Sequence, residues 1–145
     1  MSALALGLVA TLLVTVPLPL GAAPPTDAES ARFQPCDRGP RVTCVVDGDT
    51  FWYAGTKIRI ADINAPEVSR PGCGREAELG AAATRRLTEL LNAGPFTLAV
   101  EGRAIDRYGR ALRVVMRRGA SIGTVLEREG LAEHWQGRRG DWCAA

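Results

Sequence analysis

Between Arg41 and Ile60 apolar and polar residues alternate with the two-residue period of half-buried strands. Val42, Cys44 and Val46 interleave with Thr43, Val45 and Asp47, and the Asp47-Gly48 pair marks a turn. Phe51-Trp52-Tyr53 is aromatic and β-prone, Ala54-Gly55-Thr56 reads as a tight hairpin, and Lys57-Ile58-Arg59-Ile60 alternates again. The period then lengthens: Leu79, Ala83, Leu87 and Leu91 recur every four residues beside Leu90, and Asn92-Ala93-Gly94-Pro95 supplies stop signals, which predicts a helix. Phe96, Leu98 and Val100 alternate as a fourth strand, and Leu112, Val114 and Met116 as a fifth. Ser121 can cap a short second helix with Ile122, Val125 and Leu126 on one face, ended by Gly130.

Five short strands with a helix between the third and fourth predict an α+β chain of OB-fold type, a five-stranded β-barrel with two helices, in which a small sheet closes on itself and removes its edges. Such barrels bind oligonucleotides, oligosaccharides or proteins, so the fold leaves function open. A length of 145 residues has room for one domain. Hydrophobic residues at 46% and charged residues at 23% exclude a disordered tail and a polytopic membrane protein. A net charge of +2 points to no partner, so any grip on a polyanion must come from local clustering.

The front of the chain is different. No charged side chain precedes Asp27, and the apolar run Ala3 to Val16 ends at Pro17 and Pro19, with small residues at Gly21, Ala22 and Ala23. That is short for a membrane span and right for an export signal, although no Lys or Arg precedes the run. The expected organisation is a cleaved signal over 1–23, a linker over 24–35 and a domain over 36–145, in a secreted or periplasmic protein. An uncleaved N-terminal anchor is the other reading of this segment.

Four cysteines suit that compartment. Three pairings are possible; the favoured one joins Cys36 to Cys44 across the Gly39-Pro40 turn and leaves Cys73 for Cys143. Zinc is the competing use, but no C-x-x-C occurs and His134 is the single histidine, best read as an exposed residue.

Chemistry gathers in four places. Asp47-Gly48-Asp49-Thr50 sets two carboxylates at a turn, where both can face one hard cation, without the spacing of an EF-hand. By strand alternation Arg59 projects opposite Ile58 and Ile60. Asp62-Ile63-Asn64-Ala65-Pro66-Glu67 leaves that strand, with Pro66 fixing the bend and Glu67 just past it. Asp106-Arg107-Tyr108-Gly109-Arg110 lies in a stretch, Arg103 to Arg118, with six arginines against one acid, and Gly109 permits close backbone approach. Each alone has a bland reading as a turn, a loop acid or a solvated face. Together they suggest phosphodiester chemistry, in which arginine forks hold phosphate oxygens, a metal stabilises charge and a carboxylate orients or deprotonates water.

Val45-Val46-Asp47-Gly48-Asp49-Thr50, Ile58-Arg59-Ile60, Ala65-Pro66-Glu67 and Asp106 to Arg110 resemble, in order and spacing, the staphylococcal nuclease (thermonuclease) family, and Gly130-Leu131-Ala132 extends the match. The resemblance runs roughly from Arg41 to Trp135 and implies an OB-fold and calcium-dependent hydrolysis of DNA and RNA to 3′-phosphate and 5′-hydroxyl products. It implies that Asp49 is a ligand of calcium, Ca2+, that Arg59 and Arg110 hold the phosphate, and that Glu67 is the base or water-orienting residue. Asp47 would stand behind the metal, Ala65 would ligate through its carbonyl, and Tyr108 would stack on a base or ribose. Nucleic acid is then the partner, with no stable membrane association after signal cleavage, and a monomer is expected.

Two departures accompany the resemblance. The family usually has an aspartate where this chain has Asn64, whose amide oxygen can still ligate but carries no charge, and Asp62, two residues earlier, is the candidate to compensate. The chain stops at Ala145, so a final helix of the family has no room, and a Cys73–Cys143 bridge could fasten the shortened end. Two rival readings stay open: a nuclease-like module that binds nucleic acid or protein without cutting, and an exported OB domain for another ligand. Trp135 and Trp142 read either as plugs of the barrel end or as a stacking surface for single strands.

Overall fold

A computed structural model describes residues 26–144. The expected export signal over 1–23 lies outside the described residues. Strands β1 (Cys44–Asp47), β2 (Thr50–Tyr53) and β3 (Thr56–Ile60) form the antiparallel meander, followed by the two-residue strand β4 (Ile63–Asn64) and helix α1 (Gly74–Asn92). Strands β5 (Thr97–Ala99), β6 (Ala111–Arg117) and β7 (Ala120–Ser121), helix α2 (Gly123–Arg128) and strand β8 (Glu133–His134) complete the described body. The architecture is α+β, as expected.

The main sheet runs β1-β2-β3-β6-β5, with β3 and β6 parallel and β7 added to β6. Ala54 and Gly55 both have positive φ, 48° and 80°, the two-residue geometry that matches strand twist and folds β2 back on β3. Among the described residues no ladder joins β5 to β1, so a closed five-stranded barrel is not found. Instead the segment before β1 spans that gap: Glu29 exchanges backbone hydrogen bonds with Phe96 beside β5, and Gln34 and Cys36 bond Val45 in β1. Residues expected as a linker are therefore part of the body, and Phe33 is a core residue, 3% exposed and packed edge-on to Phe51. The linker reading failed because the segment alternates too briefly to show a period, while Phe33 finds an aromatic niche that only the folded sheet creates.

Alternation in β1 also differs from the simple pattern. Val45, not Val42, is the deeply buried valine, because register shifts between Val45 and Asp47 and the bulge turns the strand. In β6 both Val114 and Val115 are buried, one on each face, as suits a strand flanked on both edges. Helix α1 buries Gly80, Ala83, Thr84, Leu87, Leu90 and Leu91, an i, i+3, i+4, i+7 stripe. Leu79 is only half-buried, and Gly80 takes the place expected for it. Leu87 and Leu91 meet Ile58, Ile60, Ile63 and Val115 in one core. At α2 the Ser121 hydroxyl accepts the Gly123 amide at 3.0 Å, which satisfies one of the helix's free donors.

Both favoured disulfides form, Cys36–Cys44 and Cys73–Cys143. A bridge across 70 positions limits the unfolded chain most, by about 4 kcal/mol on the loop-entropy estimate. Two disulfides fit an oxidising compartment. No helix among the described residues is long and apolar enough to cross a membrane.

Candidate functional site

The turn between β1 and β2 carries the first carboxylates. Asp47 Oδ1 accepts the Asp49 amide at 3.1 Å, which shapes the turn. Gly48 between them leaves no space for a side chain: a Cβ there would lie 2.5 Å from that of Ala83 in α1 and 2.7 Å from that of Ala65. The turn is thus pressed against α1 and against the Ala65-Pro66-Glu67 segment at once. Asp49 fastens the contact, since its Oδ2 accepts the Ala65 amide at 2.7 Å and its Oδ1 accepts the Thr50 hydroxyl at 2.9 Å.

Arg59 enters from the neighbouring strand, where Thr50 and Arg59 are cross-strand partners. Its Nη2 lies 3.2 Å from Asp49 Oδ2, and its Nη1 donates to the carbonyls of Ile60 and Ile63. Burial pulls the Arg59 pKa down, Asp49 offsets part of that, and Arg110 and Arg139 add to the lowering. An arginine stays charged regardless. By donor count, Nε–H and one Nη2 hydrogen remain free for an incoming oxygen.

Arg110 is held by Asp106. Asp106 Oδ2 accepts Arg110 Nε at 2.6 Å, while Oδ1 accepts the amides of Tyr108 and Arg110, both at 2.9 Å. Burial would raise the Asp106 pKa, but the Arg110 amide and guanidinium and the Tyr108 amide outweigh it and hold the group below the ordinary carboxylate value. Gly109 has a φ of +79° and open space around its Cβ position, so it serves the left-handed turn rather than the close approach expected of it. Tyr108 is 68% exposed, with the guanidinium carbons of Arg107 and Arg110 at 4.8 and 5.4 Å from its ring centre.

Arg59, Tyr108, Arg110, Trp135 and Arg139 line one cleft of about 400 Å³. Trp135 is 38% exposed there, its ring 5.7 Å from the Arg59 guanidinium carbon, so it faces the cleft instead of plugging a barrel end. Trp142 is half-buried. Glu67 sits beside this group: its Oε1 accepts from the Val68 and Ser69 amides and the Ser69 hydroxyl, and its Oε2 lies 3.4 Å from Arg139 Nη1. Burial works to raise the Glu67 pKa, but the Ser69 and Val68 hydrogen bonds and Arg139 outweigh it and hold it low. Glu76 in the first turn of α1 accepts the Glu67 amide at 3.1 Å and the Gly72 amide at 2.7 Å, anchoring the loop.

Negative charge is concentrated behind the cleft. Burial, then the neighbouring charge of Asp49, pushes the Asp47 pKa up to about 7, and Glu67 contributes to the rise. Asp49 is paired with Arg59 and Glu67 lies by Arg139, which leaves Asp47, among the described residues, as the acid of the three without an ion pair. The oxygens on offer are hard: Asp47, Asp49, the Asn64 amide and the Ala65 carbonyl. Among the described residues no three acidic, histidine or cysteine side chains converge on one point, so a cation at this place would need amide and carbonyl oxygens as well. Asp47, the Asn64 amide oxygen and the Ala65 carbonyl are chemically suitable donors for a hard divalent ion, whereas Asp49 is already engaged by Arg59, Thr50 and the Ala65 amide. Asn64 itself donates through Nδ2 to Glu133 Oε1 at 2.9 Å. Asp62 turns to the other end of its loop, where its Oδ2 accepts the Ser121 hydroxyl at 2.6 Å. His134 is exposed, 3.2 Å from Glu127.

Three contributors were not singled out from sequence. Asp106 had a signal, the Asp-x-x-Gly spacing of a side-chain-closed turn. Glu133 and Arg139 had none, because both reach the site through the fold from the last residues of the chain.

Residues 57–141 match the sequence profile of the family described as Staphylococcal nuclease homologue. That span takes in Arg59, Glu67 and Arg110 but not the Asp47-Gly48-Asp49 turn. Two curated proteins of Bacillus subtilis (strain 168) are similar: endonuclease YncB, 36% identical over 92 residues, and the SPbeta prophage-derived endonuclease YokF, 37% identical over 92 residues. Each alignment covers 60% of this chain, but 43% of YncB and 31% of YokF, so the chain spans less than half the length of either relative. With the profile matching more than half of its residues, the chain belongs to the staphylococcal nuclease homologue family.

Proposed function

We propose that this protein is an exported, calcium-dependent nuclease that hydrolyses phosphodiester bonds of DNA and RNA to 3′-phosphate products on a small OB-type barrel, acting as a monomer. The observation that carries the reading is the pair of arginines, Arg59 and Arg110, lining one cleft, each fixed by an aspartate, Asp49 and Asp106. A guanidinium held in this way presents its remaining N–H groups at no further ordering cost, which is how charge developing on phosphate oxygens is stabilised.

In this reading Arg59 and Arg110 grip the equatorial oxygens and Tyr108 stacks on the base or ribose. Glu67 accepts a proton from water as the water oxygen bonds to phosphorus. The bond to the 5′ oxygen breaks, and that oxygen leaves as a hydroxyl after taking a proton from solvent. Asp49, Asn64 and the Ala65 carbonyl would hold calcium, with Asp47 behind them. When bound, calcium supplies charge neutralisation at the phosphate and a more acidic water. The low pKa of Glu67 keeps it ionised and ready to accept at neutral pH.

A non-cutting nucleic-acid or protein module is the second reading, supported by Asn64, which carries no charge at the position where the family usually has an aspartate. Incubation of the purified protein with single- and double-stranded DNA and with RNA, with calcium and with chelator, decides between them. Calcium-dependent fragments ending in 3′-phosphate are expected. Retention of intact substrate on the protein in both conditions would overturn the nuclease reading.

A further inference from the structure

Trp135, Gly137 and Arg139, all past strand β8, line the cleft. Arg139 lines it together with Arg59 and Arg110, and its side chain is 67% exposed. Among the described residues its one ion-pair partner is Glu67, at 3.4 Å, a long contact that leaves most of the guanidinium uncommitted. The lowering of the Arg59 pKa by both Arg110 and Arg139 places the three cations within electrostatic range of one another. Arg103 and Arg107 also line the hollow, and although Arg59, Arg110 and Arg139 each face one carboxylate, five guanidinium groups around it favour an anion.

The tail that carries Arg139 has no regular structure past β8 and is held by separate ties. The Gly140 amide bonds Glu133, Asp141 Oδ1 accepts the Cys143 and Ala144 amides, and Cys143 is bridged to Cys73. Cys73 is the N-cap residue of α1, one turn from the Glu76 that anchors the Glu67 loop. One helix end therefore fixes both Glu67 and the tail that brings Arg139 to it.

We propose that Arg139 contacts a substrate phosphate, a third cation beside the pair formed by Arg59 and Arg110, and that the Cys73–Cys143 bridge keeps it in the cleft. The ligand class is a nucleic-acid strand long enough to present a second phosphate next to the one held by Arg59 and Arg110. This rests on the nuclease reading for the identity of the substrate. It adds a redox requirement: the tail is in place only where the bridge is formed.

The test is the salt dependence of binding. Affinity for a fluorescent single-stranded oligonucleotide is measured in chelator over a series of salt concentrations, for the unmodified protein, Arg139→Gln, Arg139→Lys, and the double variant Cys73→Ser with Cys143→Ser. Loss of one phosphate contact lowers the slope of log affinity against log salt by about 0.7 for a single strand. Arg139→Gln is expected to show that drop with roughly tenfold weaker binding at low salt, the scale of one charge-assisted hydrogen bond. Arg139→Lys should keep the slope, a rescue that a purely structural role would not require. The serine double variant should reproduce the Arg139→Gln slope, and adding Arg139→Gln to it should change nothing more. An unchanged slope in Arg139→Gln overturns the contact, and an unchanged slope in the serine variant overturns the tether. Failure of the unmodified protein to cut, with the slope change intact, would instead strike the nuclease reading and leave this contact standing.

Discussion

Asn64 and Glu133 face each other as cross-strand partners of β4 and β8, with the Asn64 amide donating to the Glu133 carboxylate at 2.9 Å. The register supplies a physical reason for an amide where the family has an acid: an aspartate at 64 would set two like charges directly opposite, in a site already crowded with carboxylates. Asn64→Asp should therefore lower stability in chelator by about 1–3 kcal/mol, the cost of a lost charged hydrogen bond plus repulsion. Adding Glu133→Gln should restore it. Urea unfolding of the single and double variants in chelator checks this; an unchanged midpoint in Asn64→Asp would show that the contact contributes nothing.

Asp49→Asn is expected to destabilise the fold more than Asp106→Asn, because it strips the partner from a buried guanidinium. Breaking a buried pair typically costs about 3–5 kcal/mol. Arg59→Lys keeps the charge but not the planar fork, and turnover should fall on the order of a hundredfold with the fold intact. Thermal unfolding and steady-state cleavage, run on the same samples, separate the two effects.

Glu67→Gln keeps the shape of the loop, since the amide oxygen can still accept the Val68 and Ser69 amides. Oligonucleotide affinity should stay within about threefold, while single-turnover cleavage slows by roughly 10²–10⁴, the range for loss of a general base. Equal cleavage rates would remove Glu67 from that role.

Asp106 gives a pH prediction. Its pKa is lower folded than unfolded, despite the opposing effect of burial, because Arg110 and the Tyr108 amide favour the carboxylate. A depressed folded pKa contributes stability that is complete above the unfolded value, about 3.9, and is lost as pH falls through the folded value. Asp106→Asn should be less stable than the unmodified protein at pH 7, by on the order of 1 kcal/mol, and the gap should close as pH falls through the folded value. Denaturant midpoints between pH 2 and 7 test it; a gap that persists at the acid end would point to a contact independent of the charge.

Trp135→Ala tests the aromatic wall. With its ring beside Arg59 and partly exposed, Trp135 should contribute about 1–3 kcal/mol to single-strand binding. Loss of stability with affinity preserved in the folded fraction would return Trp135 to a packing role.

Several features were legible from short-range pattern. The meander from Cys44 to Ile60 and the stripe of α1 follow from two- and four-residue periods, whereas cysteine spacing left three disulfide pairings possible, of which the favoured one formed. Asp49, Arg59, Glu67 and Arg110 were singled out together through the order and spacing of their motifs, since each turn or strand alone had a bland reading. The core position of Phe33 was not, since nothing near it in sequence says that a gap between β1 and β5 awaits it. Nor was the bulge that buries Val45, because alternation carries no information about a register shift. Asp62 shows the same limit: two residues from Asn64 along the chain, it bonds Ser121 instead, because the turn after β3 redirects it. Sequence determined which chemical groups this chain holds and which local elements carry them. Tertiary structure alone decided that Asn64 meets Glu133 and Glu67 meets Arg139, separated by 69 and 72 positions, because such contacts arise from strand register and a disulfide-tied tail, and neither leaves a periodic trace.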